Sequence, residues 1–259
     1  MKDTTVTIGS ARIDERGHTT GGKAGDQTGR EISTQPWYKH SKGWIVIRPK
    51  EAVAAERIAE AMERACANPR IGYDQAQRLS LWNAVKGCGY DPAKVPTLCE
   101  TDCSALVRVC CAYAGIITPN FTTEDEVKTL KATGRFDILP DVKQSHLLRG
   151  DILCTKTKGH TAVVLSDGAK AEPRVIPLGS RPLKRGCIGA DVTELQRRLR
   201  QLSYNLGPYG PNHDGVDGDY GSRTSLAVYD FQDDYLPAVK PTGEADTGTT
   251  IPHLIAVTE

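Results

Sequence analysis

The stretch Glu100–Gly115, ETDCSALVRVCCAYAG, holds three of the chain's eight cysteines, and its reading decides the fold. Cys103, Leu106, Val107, Cys110 and Ala114 recur at the spacing that places residues on one face of a helix. Asp102 stands where an N-cap belongs, and Gly115 where a helix stops. The spacing therefore predicts a helix over this stretch with an apolar stripe. Structural zinc usually needs close cysteine pairs presented from tight turns. Cys99 and Cys103 are four positions apart, and Cys110 and Cys111 are neighbours on a helix, pointing about 100° apart. No metal is expected here. Burial as small hydrophobes accounts for Cys110 and Cys111.

Cys103 differs because it falls in the first turn. Unpaired backbone N–H groups and the helix dipole favour negative charge there and should lower the thiol pKa. A nucleophilic cysteine also requires an imidazole within hydrogen-bond reach. His160, in KGHTAVVLSDG, follows a glycine and begins an apolar strand pattern, so it can face a helix end.

Around this stretch the chain has the composition of a soluble globular protein of 259 residues. Its 33 basic and 32 acidic residues leave a net charge of +1, which gives no bulk-charge reason to expect a nucleic-acid partner. No apolar run reaches the length of a membrane span. The opening MKDTTVTIGSARIDERG lacks the basic-then-apolar pattern of a secretory signal. Synthesis in a reducing cytoplasm is the expectation, with the cysteines as thiols.

Before the helix, GHTTGGKAGDQTGREI reads as a glycine-rich loop and WIVI as a short strand. EAVAAERIAEAMERACA then reads as a helix, with Val53, Ala54, Ile58, Ala61, Met62 and Ala65 at helical spacing. NPRIGYD reads as a turn, AQRLSLWNAVKG as a second helix and TEDEVKTLKATG as a fourth. GDILCT, HTAVVLSDG and AEPRVIPL read as strands, the last two forming a hairpin around SDGAK. Helices first and an antiparallel sheet afterwards is an α+β pattern. PLGSRPLKRG breaks the chain. Beyond it two amphipathic helices are expected at roughly 190–202 and 222–235, with a short third near TTIPHLIAV, a module near the minimum size for a single core. Val192, Leu195, Leu199 and Leu202 line the first helix; Leu226, Val228 and Phe231 are the apolar residues of the second.

TDCSALVRVCCAYAGI, LLRGDILC and GHTAVVLSDG, in that order, resemble the papain-like cell-wall hydrolases of the NlpC-type and CHAP superfamily. The resemblance implies an α+β papain-like domain, helices packed on a small antiparallel sheet, over residues 1–173. By the same resemblance Cys103 is the nucleophile and His160 its base. A third polar residue usually follows on the next strand, and Glu172 stands twelve positions after His160, with Asp167 the lesser alternative. Tyr73 is the counterpart of a tyrosine the family places upstream, although the Trp-Gly-Gly that accompanies it is missing. Ser104, in the Asp-Cys-Ser motif, is a substrate or oxyanion candidate. Asp26 and Gln27 are candidates to line the cleft, Gln27 as an oxyanion donor; the alternative is a loop that satisfies its own backbone.

After a linker at 174–182, residues 183–259 resemble the three-helix peptidoglycan-binding domain. LKRGCIGADVTELQRRLRQLSYNLG, DGVDGDYGSRTSLAVYDFQDDYL and TGEADTGTT carry that resemblance. DGVDGDYG lacks the remaining spacing and the closing Glu of an EF-hand loop and reads as a turn. The two resemblances imply an endolysin-like peptidoglycan hydrolase that cleaves a stem-peptide amide, between D-glutamate and the diamino acid, with no cofactor and no metal. N-acetylmuramoyl-L-alanine amidase or cross-bridge endopeptidase activity of the CHAP type is the alternative, and a non-catalytic wall-binding protein is the alternative from another class. The expected partner is bacterial peptidoglycan of a Gram-positive wall, with no nucleic acid and no membrane, and the chain as a monomer. The expected setting is synthesis in a host cytoplasm without a signal peptide and action at the wall after release through a holin-type pore.

Overall fold

The computed structural model describes residues 5–172 and 175–259. The chain divides into two compact units between residues 174 and 175. In the first, β1 (Thr7–Ala11), β2 (Ile32–Pro36), β3 (Trp44–Pro49), α1 (Ala52–Cys66), β4 (Ile71–Tyr73) and α2 (Ser80–Val85) precede β5 (Cys99–Thr101) and α3 (Cys103–Tyr113). Then come α4 (Glu126–Ala132), β6 (Phe136–Leu139), β7 (Ile152–Thr155) and β8 (Thr161–Val164). Six strands form one antiparallel sheet in the order β2-β1-β8-β7-β3-β6, while β4 and β5 pair in parallel as a separate ribbon.

Successive side chains on a strand point to opposite faces. Ile47, Ile152, Cys154 and Val163 face one core, shared with Ile58 and Met62 of α1 and Leu106, Val107 and Cys110 of α3. Val46, Leu153, Ala162 and Val164 face the other, with Ile8, Trp44 and Leu147. The quoted stretch is the helix its spacing predicts, but its burial goes beyond a stripe. Val109, Cys111 and Ala112, off the stripe, are also buried, because α1, α2 and the sheet surround α3. Each fully buried Leu or Val there contributes about 1.5–3 kcal/mol of hydrophobic stabilisation.

The sheet departs from the order the sequence suggests. It draws β1, β2 and β3 from the region before the helices, so the chain does not lay helices first and sheet second. The neighbour of β8 is β1, and among the described residues no hairpin forms around 166–170. Pro173 and Arg174, part of the expected partner strand, lie outside the described residues. Ile71–Tyr73, read as a turn, is a strand because it pairs with the residues leading into α3.

The Gly-Asp pair before β7 is a structural joint. Gly150 has φ +86, and a Cβ there would stand 2.2 Å from the Ala55 carbonyl oxygen, so only glycine lets this turn meet α1. Asp151 accepts from Arg48 Nε and Nη2 at 2.9 and 2.6 Å and from Leu148 N–H at 2.8 Å. Arg149 forks onto Glu56 and Glu63 of α1 and reaches the Leu165 carbonyl. The triplet thus fastens the sheet to α1.

The second unit contains α5 (Ala190–Gln201), α6 (Ser222–Tyr235) and α7 (Thr250–Thr258) around Val192, Leu195, Leu199, Val228, Phe231 and Leu254. Leu226, expected among the apolar residues of α6, is instead exposed. Two buried glutamines organise the turns. Gln196 accepts from Asp217 and Gly218 N–H and donates to Asp219 O and Thr224 Oγ1. Gln232 does the same for Thr242, Gly243, Glu244 and Thr250. The acidic DGVDGDYG segment is therefore a turn held by Gln196. Among the described residues no helix is long and apolar enough to cross a membrane.

Candidate functional site

β5 leads directly into α3, and Asp102 sits between them with extended backbone. Its carboxylate accepts from Ala105 N–H at 2.7 Å and from Ser104 Oγ at 3.0 Å. Arg78, unnoticed in the sequence, holds this cap. Its Nε donates to Asp102 Oδ2 at 2.5 Å, and Nη2 donates to Ser104 Oγ at 2.8 Å and to the Phe121 carbonyl at 2.6 Å. An arginine 24 positions before its partner leaves no local signal; only the approach of α2 to the start of α3 pairs them. Ser104 is buried and spent on this network.

Cys103 follows as the first residue of α3 and is 8 % exposed. The main-chain N–H groups of Thr161 and Ser104 lie near enough to its sulfur to favour the anion. These donors favour a thiolate, as the helix end was expected to. Burial and the adjacent Asp102 carboxylate outweigh them and push the thiol up to about 12. The expected lowering is therefore corrected: the resting thiol is protonated.

Thr161 opens β8 opposite Cys154 of β7, and both face α3 and α4. The Thr161 hydroxyl donates to Glu126 Oε1 at 2.8 Å. Glu126 is fully buried at the start of α4, and its carboxyl is raised to about 8 by desolvation, with Asp102 and Asp125 adding to the rise and the Cys154 thiol beside it opposing. Tyr73, on β4, comes close enough for a Cys103 thiolate to oppose ionisation of its phenol, which burial already raises to about 12. Its hydroxyl accepts from Gln75 Nε2 at 3.1 Å. Sequence reading singled out Tyr73 but not Glu126, whose burial in an acidic segment, TEDE, no local pattern announces.

His160 stands one residue before Thr161, at the same end of the sheet. Its N–H and that of Gly159 donate to Thr155 Oγ1 at 3.1 and 2.9 Å, which closes the tight β7–β8 turn. Its ring lies 6.3 Å from that of Trp44, which belongs to the face away from α3. Burial, then His40, then Arg12 lower the imidazole to about 4, so it is neutral at neutral pH. No hydrogen bond joins it to Cys103 among the described residues.

Other expected members lie apart. Glu172 is exposed and outside any strand, so it does not occupy the neighbouring-strand position foreseen for it. Asp167 accepts from Arg149 N–H at 2.7 Å and serves the structural joint. Gln27 Nε2 donates to the carbonyls of Ala24 and Gly25, and Asp26 Oδ1 accepts from Thr28 and Gly29 N–H. Both side chains close their own loop, which is the structural alternative for that segment. Among the described residues no group of His, Cys, Asp and Glu could hold a metal ion, and the eight cysteines are free thiols.

A family model described as an endolysin-like domain matches residues 8–171. One for a peptidoglycan binding domain matches residues 188–250. Among solved structures the SleB N-terminal domain is similar at 30 % identity, covering 30 % of this chain and 94 % of that one, with a TM-score of 0.25. No curated protein matches the chain.

Proposed function

Because this chain belongs to the endolysin-like domain family through residues 8–171, we propose that it is a lytic enzyme of the bacterial cell wall with Cys103 as its nucleophile. The peptidoglycan-binding match over residues 188–250 supports peptidoglycan as its substrate. The observation that carries the choice of Cys103 is its place as the first residue of α3, behind the Asp102 cap, with the main-chain N–H groups of Thr161 and Ser104 near its sulfur. Those donors stabilise the anion formed when the proton leaves.

In this reading the catalytic unit is of the papain-like type. The resting pair is a neutral thiol and a neutral imidazole. As Sγ bonds to the carbonyl carbon of the scissile amide, the thiol proton passes to His160. The C–N bond then breaks, and the imidazolium returns that proton to the leaving amine. Water attacks the thioester with His160 taking its proton; the acid departs and the thiol is restored. This requires the His160 ring to turn from Trp44 toward Cys103 when substrate binds. The bond assigned is that between D-glutamate and the diamino acid of the stem peptide.

Turbidity of purified walls tests the nucleophile. The Cys103→Ala variant should bind walls without clearing them; clearing by that variant would remove Cys103 from the role. Mass spectrometry of the released fragments tests the bond. A free amino group on the diamino acid is expected, whereas a freed L-alanine amino terminus would assign an N-acetylmuramoyl-L-alanine amidase.

A further inference from the structure

Beside Trp44, whose side chain belongs to the sheet face away from α3, lies a cavity of about 490 Å³ that the reaction above leaves unused. Trp37 and Trp44 line it together with Lys39, His40, Lys143 and Lys156. We propose that this cavity is a substrate subsite that binds a carboxylate-bearing segment of a wall peptide. The inference rests on the hydrolase reading and deepens it by naming a part of the substrate and where it sits.

Position is the first argument. Trp44 opens β3, Lys156 follows β7 and His160 precedes β8. In an antiparallel sheet these three ends lie side by side, and the register pairs Trp44 with Thr155 and Cys154 with Thr161. The Trp44 ring is 5.1 Å from that of His40 and 6.3 Å from that of His160. Thr161, next in the chain, has its N–H near enough to the Cys103 sulfur to favour the anion. The cavity, the imidazole and the residue next to the thiol therefore lie at one end of the sheet.

Charge is the second argument. The chain as a whole carries a net charge of only +1, yet the cavity rim concentrates three lysines and a histidine against one acid, Asp141. Asp141 is occupied by Lys156 at 2.8 Å. Lys39 and Lys143 have no ion pair among the described residues and are exposed, so both ammonium groups are available to an incoming anion. The aromatic lining residues suit the aliphatic part of a peptide, and the lysine ammonium groups suit its carboxylates. A bound carboxylate also places negative charge near an imidazole that burial and His40 hold down, which favours the protonated form it takes during acyl transfer.

The test uses the full chain carrying Cys103→Ala, which holds substrate without turnover, and calorimetric titration with a stem tripeptide bearing free carboxylates. Three arms run in parallel: that peptide, its fully amidated form and a glycerol-phosphate oligomer. Adding Lys39→Glu and Lys143→Glu together should weaken the free-acid peptide by about tenfold and leave the amidated peptide unchanged, as expected for two charge reversals on one site. Equal affinity before and after the reversals would overturn the proposal. So would an equal loss for the amidated peptide, or a preference for the phosphate oligomer. A thermal midpoint equal to that of the parent verifies that the exposed lysine replacements leave the fold intact. Wall clearing by the unmodified protein is measured separately. Its absence would count against the hydrolase reading, while the binding arms would still report on the cavity.

Discussion

Thr161 and Glu126 are joined at 2.8 Å, hydroxyl to carboxyl, near the thiol of Cys103. The N–H of the same threonine lies near the sulfur and favours its anion, so a fully buried acid fixes a residue beside the nucleophile. This acid stays protonated in the fold to about pH 8, against 4.5 when exposed.

The sign of the resulting pH dependence is fixed by which state holds the proton. Between pH 4.5 and about 8 the folded chain keeps the Glu126 proton that the unfolded chain releases. That contribution to stability is whole below 4.5 and is lost as pH rises through about 8. Glu126→Gln keeps an acceptor for Thr161 but cannot ionise, so its thermal midpoint should fall less than the wild type's over that range. Equal slopes for the two proteins would show that Glu126 does not titrate there. Glu126→Ala leaves the buried Thr161 hydroxyl unpaired and should cost about 1–3 kcal/mol.

His160 has the opposite sign. Its folded value of about 4 lies below the ordinary 6.5, so the unfolded chain binds the proton first as pH falls. Its contribution is whole above 6.5 and is lost toward pH 4. His160→Gln should show a shallower loss of thermal midpoint on acidification from 6.5 to 4, together with loss of wall clearing at neutral pH.

The Cys103 thiol is buried and held protonated, with its value raised to about 12. Iodoacetamide should therefore alkylate Cys103 slowly in the native protein at pH 7, well below the rate for the same site after denaturation. Peptide mapping by mass spectrometry follows that site directly. Rapid native labelling would show that the two N–H donors outweigh burial.

Gly150 combines a left-handed backbone with a close approach to the Ala55 carbonyl. Gly150→Ala adds an unfavourable conformation, about 1–2 kcal/mol, to a clash with backbone that cannot easily move. The loss should exceed about 2 kcal/mol by denaturant unfolding. Gly87, where an added Cβ meets nothing and φ is not positive, should tolerate the same change.

Arg78 forks between Asp102, Ser104 and the Phe121 carbonyl. Arg78→Ala leaves the Asp102 carboxylate, 10 % exposed, without its cation and should cost about 3–5 kcal/mol. Arg78→Lys should recover only part of this, because an ammonium cannot span three acceptors in a planar fork. Denaturant midpoints of the two variants test the ordering.

How much of this was legible in the sequence varies by element. Helices α1 and α3 follow from their apolar spacing, and α5 and α6 appear at nearly the expected bounds, because local periodicity reports which face is buried. Strands β1, β4 and β5 carry too few apolar residues to announce themselves; their partners are distant in the chain, and pairing is what makes them strands. The segment after β8, strand-like in its sequence, does not pair with β8 among the described residues; β1 does.

At the candidate site the sequence by itself determined that Cys103 starts a capped helix, that Cys110 and Cys111 pack in the core, and that His160 enters a strand after Gly159. These are local matters of spacing, caps and turn chemistry. Only the tertiary structure decided the protonation of the thiol, the direction of the His160 ring, the recruitment of Arg78 and Glu126, and the exposure of Glu172. Burial and partners distant in the chain set each of these, since desolvation and charge pairing depend on what the fold brings near and not on what lies next in the chain.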